Sequence, residues 1–199
     1  MTEQEMVARA RAGDQDAFEQ LVLDNQKRIY TLCLRMTGDP EDGQDLAQEA
    51  FLNAWRGLPS FKGDSSFSTW VYRLASNVCL DFLRKRKRRQ NVEGGPSVDD
   101  QDSGWTEPSD PVQDPEGALL RQEMRRAVEQ GLAALPDHHR QVLVMRALSG
   151  MTYQEISQVL EVDLGTVKSR IARARLALKN YLQQDGNLFS QPPSNLSKK

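Results

Sequence analysis

Long hydrophobic runs are absent from this sequence. No stretch approaches the roughly 20 apolar residues that cross a bilayer. The opening segment, Met1-Thr2-Glu3-Gln4-Glu5, is acidic and polar, where a secretion signal would be basic and then apolar. The chain is therefore expected to stay in the cytoplasm. Cysteine and histidine are scarce, with two of each. Cys33 and Cys79 lie far apart in apolar surroundings, without the CxxC or Cys/His spacing of a zinc site, and read as buried reduced thiols. His138 and His139 are adjacent, and adjacent positions do not share a helix face, which argues against a metal site. No cofactor is expected. There is no Gly-rich phosphate loop and no clustered Asp/Glu/His set, so an enzyme such as a nuclease finds no support. No alternating strand pattern of useful length exists either. What remains is an all-α reading.

Positive charge is missing from one long stretch. The chain has 199 residues and a formal net charge of -2, yet nothing between Gln90 and Gly117 is Lys or Arg. Glu93, Asp99, Asp100, Asp102, Glu107, Asp110, Asp114 and Glu116 fall in that interval. Just before it, Arg84-Lys85-Arg86-Lys87-Arg88-Arg89 is unbroken basic sequence, and Lys168 to Lys179 is basic again. This asymmetry points to polyanion contacts at two separate places. The acidic interval is rich in Gly, Pro, Ser and Asp and has almost no apolar periodicity, so it reads as a flexible linker. The expected organisation is two small helical domains, over 1–90 and 118–185, joined by an acidic linker over 91–117 and followed by a loose polar tail over 186–199.

Helix boundaries are well marked. Thr2-x-x-Glu5 and Thr152-x-x-Glu155 fit capping boxes, and Asp14 can cap a helix carrying Phe18, Leu21, Val22 and Ile29. Gly38-Asp39-Pro40-Glu41 is a stop followed by a restart: Gly ends one helix, Asp caps the next, Pro takes its first position and Glu meets the positive end of the dipole. Gly57 and Pro59 close that helix, and a loop leads into a long helix from about Ser68 to Arg88. In the second half a helix over Leu119 to Leu132 precedes one opened by Leu135-Pro136.

The last two helices form a helix-turn-helix pattern, two short elements joined by Glu161-Val162-Asp163, the second strongly basic. Ile156, Val159, Leu160, Val162, Val167 and Ile171 make the buried side. Lys168, Ser169, Arg170, Ala172, Arg173 and Arg175 make the exposed side. Arginine grips guanine O6 and N7 with two bonds, small residues allow close approach in the major groove, and flanking cations neutralise phosphate. The helix start at Gly165-Thr166 offers backbone N–H groups to a phosphate. Glu161 departs from the pattern, because glycine often fills this left-handed turn position and another residue costs on the order of 1 kcal/mol there.

On the long central helix a wheel puts Val71, Ala75, Val78 and Phe82 on one stripe, expected to pack inward. Trp70, Arg73, Asn77, Asp81 and Arg84 form a second stripe that runs into Lys85 and the basic cluster. The preceding loop holds Phe61, Lys62, Gly63, Asp64 and Phe67. Aromatics beside cations suit unpaired bases, which stack on a π face while the cations hold the backbone. The same rings could equally be core. A polar loop over Asn77 could receive a base swung out of the duplex.

Together these features resemble the extracytoplasmic-function (group 4) sigma factors, the compact two-domain class of the bacterial sigma-70 family. Three long stretches carry the resemblance: Asp42 to Trp55, Phe67 to Asn77, and Leu164 to Arg175. Leu135-Pro136 and Met151 to Ile156 also match. The resemblance implies a promoter-recognition subunit that is not itself catalytic and that docks on RNA polymerase core, at the beta-prime clamp helices and the beta flap. It implies that Asp45, Gln48, Glu49, Phe51, Leu52 and Trp55 meet the clamp helices. It further implies that the Phe61–Phe67 loop with Asn77 captures a flipped base of the −10 element, in the same helix as Asp81 and Arg84, and that Ser169, Ala172 and Arg173 face the −35 element. Members often carry a larger residue where Ala172 stands, which leaves base preference there open. An anti-sigma protein, often membrane-bound, is the implied regulator. An autonomous DNA-binding regulator is the competing reading, and the Gln48-Glu49 segment and the aromatic loop argue against it.

The linker adds a constraint. About 27 residues reach roughly 90 Å at full stretch but average only about 30 Å as a flexible coil. Promoter elements about 17 base pairs apart are separated by roughly 58 Å. Something must therefore hold the two domains at that spacing, and the polymerase is expected to do so. The acidic linker, similar in charge to nucleic acid, is expected in the polymerase's basic RNA channel.

Overall fold

A computed structural model describes residues 1–93 and 115–184. Among these residues the chain is built from helices: α1 (Glu3–Arg11), α2 (Gln15–Thr37), α3 (Pro40–Gly57), α4 (Phe67–Glu93), α5 (Pro115–Ala134), α6 (Asp137–Leu143), α7 (Tyr153–Leu160) and α8 (Leu164–Gln184). A short 3₁₀ turn, Leu58–Ser60, follows α3, and a π turn, Val144–Leu148, extends α6. The all-α expectation holds. Most of the expected linker and the whole of the expected tail lie outside the described residues. The flanking helices enter the linker's bounds, since α4 runs on to Glu93 and α5 begins at Pro115. No helix is long and apolar enough to cross a membrane among the described residues.

Local chemistry sets the ends of the elements. Thr2 and Thr152 each accept from the amide three residues on, while Glu5 and Glu155 reach back to the threonine amides, completing both capping boxes. Asp14 accepts from Ala17 N and Asp39 from Asp42 N. Gly38 terminates α2 at φ 77°, a left-handed position that glycine adopts without steric cost. α2, α3 and α4 pack as a bundle with α1 across one end, and α5, α6 and α8 enclose the second core with α7 against them.

Cys33 and Cys79 are both fully buried in the first core. The hydrogen bond between the two thiols and their burial push the Cys79 thiol well above its ordinary value, so it is a packing residue rather than a nucleophile. The inward face of α4 differs from the expected stripe. Val71 and Ala75 are buried as expected, but Val78 and Phe82 are only half-buried, while Tyr72, Ser76, Cys79 and Leu83 are buried. The physical reason is that α4 packs on two sides, against α2 and α3 within its own domain and against α6 and α7 of the other.

The two domains touch, one hydrophobic cluster runs through both, and polar contacts cross the boundary beside it. Arg28 donates to the Ser149 carbonyl (3.2 Å), Arg35 to Glu129 (2.5 Å) and Arg73 to Glu161 (2.7 Å). In the other direction Arg140 donates to the Met36 carbonyl (2.5 Å). The hydroxyls of Tyr72 and Ser149 share a hydrogen bond.

Within the first domain, helix contact is closest at Gly43, where an added β-carbon would stand 3.0 Å from both Cα and N of Leu34. Gly43→Val should destabilise the protein by about 1–3 kcal/mol. Gln44→Val, on the exposed side of the same helix, should change stability by about 0.5 kcal/mol or less. Urea denaturation of both variants measures the difference.

Candidate nucleic-acid interface

The helix-turn-helix is built as its sequence suggests. Ile156, Val159, Val167 and Ile171 are buried, and Lys168, Ser169, Ala172, Arg173 and Arg175 are exposed on α8, with Arg170 and Thr166 half-exposed. Glu161 ends α7 at φ 53°, ψ 43°, the non-glycine left-handed residue that the spacing anticipated. Its amide still closes α7 onto the Ser157 carbonyl, and Ser157 Oγ donates to the Val162 carbonyl (2.5 Å), which holds the turn.

One expectation at the start of α8 needs correction. The Thr166 amide is not open to a phosphate, because it donates to Asp163 Oδ1 (2.9 Å), and the Thr166 hydroxyl donates to Asp163 Oδ2 (2.5 Å). These bonds hold the Asp163 carboxyl below its ordinary value, so an anion already occupies the helix terminus. Any DNA contact by Thr166 would have to compete with its own cap.

On the first domain, Phe61, Phe67 and Trp70 are 7%, 1% and 8% exposed. They pack on one another, Phe61 against Trp70 with ring centres 4.7 Å apart and Phe67 against Trp70 at 5.8 Å. In this conformation the three rings are core residues, and no π face is open to a base. Lys62, Gly63 and Asp64 ride above them, exposed, with Gly63 at φ 80°. The loop separates two cavities. One, of about 540 Å³, has walls from α1 (Glu3, Gln4, Val7) and from Phe61, Gly63 and Asp64. The other, of about 430 Å³, is lined by Lys62, Asp64, Thr69, Trp70 and Arg73 and reaches Gln158 of α7. Asn77 is not beneath the loop. It is exposed one helical turn beyond Arg73 and lines a third cavity with Arg73, Arg84 and Arg170.

The basic run divides by role. Arg84 pairs with Asp81 at 3.1 Å, and Lys85, Lys87, Arg88 and Arg89 are exposed. Arg86 instead serves the fold, lying over the Phe82 ring, 3.9 Å from Asp42 and 3.4 Å from the Thr37 carbonyl.

Sequence reasoning missed Glu3. Its Oε1 accepts from the Phe67 amide (3.0 Å), and its Oε2 lies 3.3 Å from Ser68 Oγ, so α1 helps to cap α4 across 64 residues of sequence. Ser66 Oγ accepts from the Thr69 amide (3.1 Å), and Ser68 Oγ donates to buried Asn25 (2.7 Å). The loop is thus anchored at its far end by three elements.

A shallow apolar groove of about 400 Å³ lies between α2 and α3, lined by Phe18, Val22, Gln48, Phe51, Leu52 and Trp55. Leu52 and Trp55 are 54% and 36% exposed, a cost in water that a monomer seldom tolerates in one patch. Asp45 and Glu49 are exposed on the same helix. The structure therefore brings the expected docking residues onto one helix, around one groove. Trp55 rests on Phe18 (4.8 Å), and Phe18 on Phe67 (6.3 Å), so the groove and the loop share one aromatic cluster.

Comparison with known proteins decides the family. Residues 21–89 match Sigma-70 region 2, and residues 125–178 match Sigma-70, region 4. The RNA polymerase sigma-H factor of Pseudomonas aeruginosa is 39% identical over 181 residues, 91% of this chain and 94% of that protein. The ECF RNA polymerase sigma factor SigW of Bacillus subtilis is 36% identical over 180 residues, covering 89% and 95%. This chain belongs to the extracytoplasmic-function sigma factors. Among solved structures, CnrH in complex with the cytosolic domain of CnrY superimposes with a TM-score of 0.66 at 28% identity, covering 92% of this sigma factor and 98% of that chain.

Glu3→Ala should cost about 1 kcal/mol, as loss of a cap does, and should loosen the loop. Amide hydrogen exchange at Phe67 to Trp70 should speed up while α8 is unchanged. Equal protection in both proteins would remove Glu3 from the site.

Proposed function

We propose that this sigma factor docks on core RNA polymerase through the α2–α3 groove and carries two DNA readers, α4 with its preceding loop for the −10 element and α8 for the −35 element. It acts in the bacterial cytoplasm as a non-catalytic subunit, with the chemistry of transcription left to the polymerase. The observation that carries this reading is the exposed Leu52–Trp55 groove beside acidic Asp45 and Glu49, an apolar patch rimmed by charge on the same domain as a basic helix.

Each contact then has a role. Ser169, Ala172 and Arg173 face base edges at the −35 element, Arg173 being the one able to grip guanine with two bonds. Lys168, Arg170 and Arg175 neutralise phosphates and set the salt dependence of binding. At the −10 element the cavities beside Lys62, Gly63 and Asp64 receive a base drawn out of the stack. The buried rings Phe61, Phe67 and Trp70 shape the loop's floor, and Arg73, Asn77, Arg84 and Lys85 hold the strand. A protein regulator of the anti-sigma kind completes the reading, supported by the likeness to CnrH, which was solved bound to a second protein.

Leu52→Ala and Trp55→Ala should each weaken binding to purified core by about tenfold, the effect of losing a buried apolar anchor. Leu23→Ala, 49% exposed on α2 but outside the groove, should leave it unchanged. Equal affinity for all three proteins would place docking elsewhere.

A further inference from the structure

One buried donor has no use in the fold or in either reader. Gln141 of α6 is 2% exposed, and its amide nitrogen finds no hydrogen-bond partner among the described residues. A buried donor left unpaired is destabilising, and folded proteins keep few of them. Gln141 lines the cavity of about 430 Å³ whose walls also hold Arg73, Asn77 and Arg84 of α4 and Arg170 of α8. That volume falls within the roughly 300–1,000 Å³ of small-ligand sites.

The carboxylates near this cavity are already matched. Glu161 pairs with Arg73 at 2.7 Å and Asp81 with Arg84 at 3.1 Å, while Asp137 lies 3.9 Å from Arg140. Arg170, half-exposed, has no hydrogen-bond or ion-pair partner among the described residues. Arg73 and Arg84 keep further donors, because each pair uses one nitrogen of a guanidinium that carries several N–H groups. Burial and the charges of His138, Arg173 and Arg170 hold His139 below its ordinary value, so the potential beside the cavity is positive. The remaining wall includes half-buried Leu80, Leu160 and Val162, which suit an apolar group rather than an anion.

We propose that this cavity binds a small organic phosphate, with the phosphate against Arg170 and the Gln141 amide and the organic part against Leu80 and Leu160. The donors come from three helices, α4, α6 and α8, and so approach from several directions. A tetrahedral phosphate can accept from all of them, whereas a planar carboxylate is served by one guanidinium fork. Rotation about the last bond of Gln141 exchanges its amide nitrogen and oxygen, which lets the unpaired donor turn to the ligand. The site stands without the sigma-factor reading. Only its consequence rests on that reading: the bound ligand would compete with DNA for Arg73, Arg84 and Arg170.

The full-length protein, labelled with nitrogen-15, tests this by NMR titration with adenosine 5′-monophosphate and, separately, with inorganic phosphate. The side-chain amide signal of Gln141, assigned by its loss in Gln141→Leu, should shift and saturate with the nucleotide at a Kd of about 1 mM or tighter. Inorganic phosphate should bind about tenfold more weakly, since it leaves the apolar wall uncovered. Arg170→Gln should weaken nucleotide binding about tenfold and Gln141→Leu about threefold or more. Lys168→Gln removes the same charge from α8 outside the cavity and should change affinity by less than about twofold at 0.15 M salt. Gln141→Leu should also unfold in urea no earlier than wild type, because it removes a buried donor that the fold leaves unpaired. No saturable shift at Gln141 would overturn the site. Equal weakening by Lys168→Gln and Arg170→Gln would overturn it as diffuse attraction, and equal affinity for both ligands would overturn the organic part. A destabilised Gln141→Leu that binds the nucleotide like wild type would assign the amide to the fold alone. Failure of the chain to direct transcription would leave these outcomes untouched and count against the sigma-factor reading only.

Discussion

The arrangement of the described residues depends on arginines that cross between the two domains. Arg28, Arg35 and Arg73 reach from the first domain to acceptors on the second, and Arg140 reaches back. Arg140 is the most constrained of them. It is only 7% exposed and donates to the carbonyls of Leu132, Ala133 and Leu135 as well as Met36. Burial lowers its pKa from the ordinary value, yet an arginine stays charged under all ordinary conditions. An uncompensated charge at this depth would be severely destabilising. Three of its partners belong to the end of α5 and the bend into α6, so it shapes its own domain first. The fourth, at the end of α2, is a contact that separation of the domains would hand to water.

Each domain holds a core of apolar side chains with its helix ends capped locally, so each keeps its shape through its own contacts. At the boundary apolar packing and polar contacts act together, since one hydrophobic cluster runs through both domains and Tyr72 and Arg140 are buried there. In the first domain one aromatic cluster joins the two surfaces proposed for docking and for base capture. Trp55 at the α2–α3 groove, Phe18 behind it, and Phe67, Phe61 and Trp70 under the loop are in ring contact. A loop proposed to receive a base needs a rigid floor more than it needs every ring exposed, and the packed rings are suited to that part.

Much of this was legible in the sequence because it is local. Capping boxes at Thr2 and Thr152, the Gly38-Asp39-Pro40 junction, Asp163 at the start of α8 and the left-handed Glu161 all follow from chemistry within a few residues, and all stand in the structure. The residues proposed for docking likewise fall within one helix, α3. What sequence could not supply were contacts between distant elements. Glu3 reads as an ordinary first-turn acid, and nothing near it signals that it also caps α4. The stripe on α4 differs because a helical wheel assumes one packing partner, whereas Tyr72 also meets Ser149 of the other domain. The loop's aromatics were ambiguous for the same reason, since hydrophobicity is identical for a stacking platform and a core. Asp163 caps α8 from three residues away, but the consequence, that its anion keeps a phosphate from the same helix end, required the geometry.

The account turns on the chain directing polymerase to promoters through two separated elements. The most direct measurement is transcription of a genomic fragment library by purified core polymerase with and without this protein, with the start sites mapped. The account predicts starts that appear only when the protein is added, each preceded by a shared pair of motifs about 17 base pairs apart, a spacing of roughly 58 Å along the duplex. An unchanged set of starts, together with tight binding of the protein alone to duplex DNA, would contradict it and indicate an autonomous regulator.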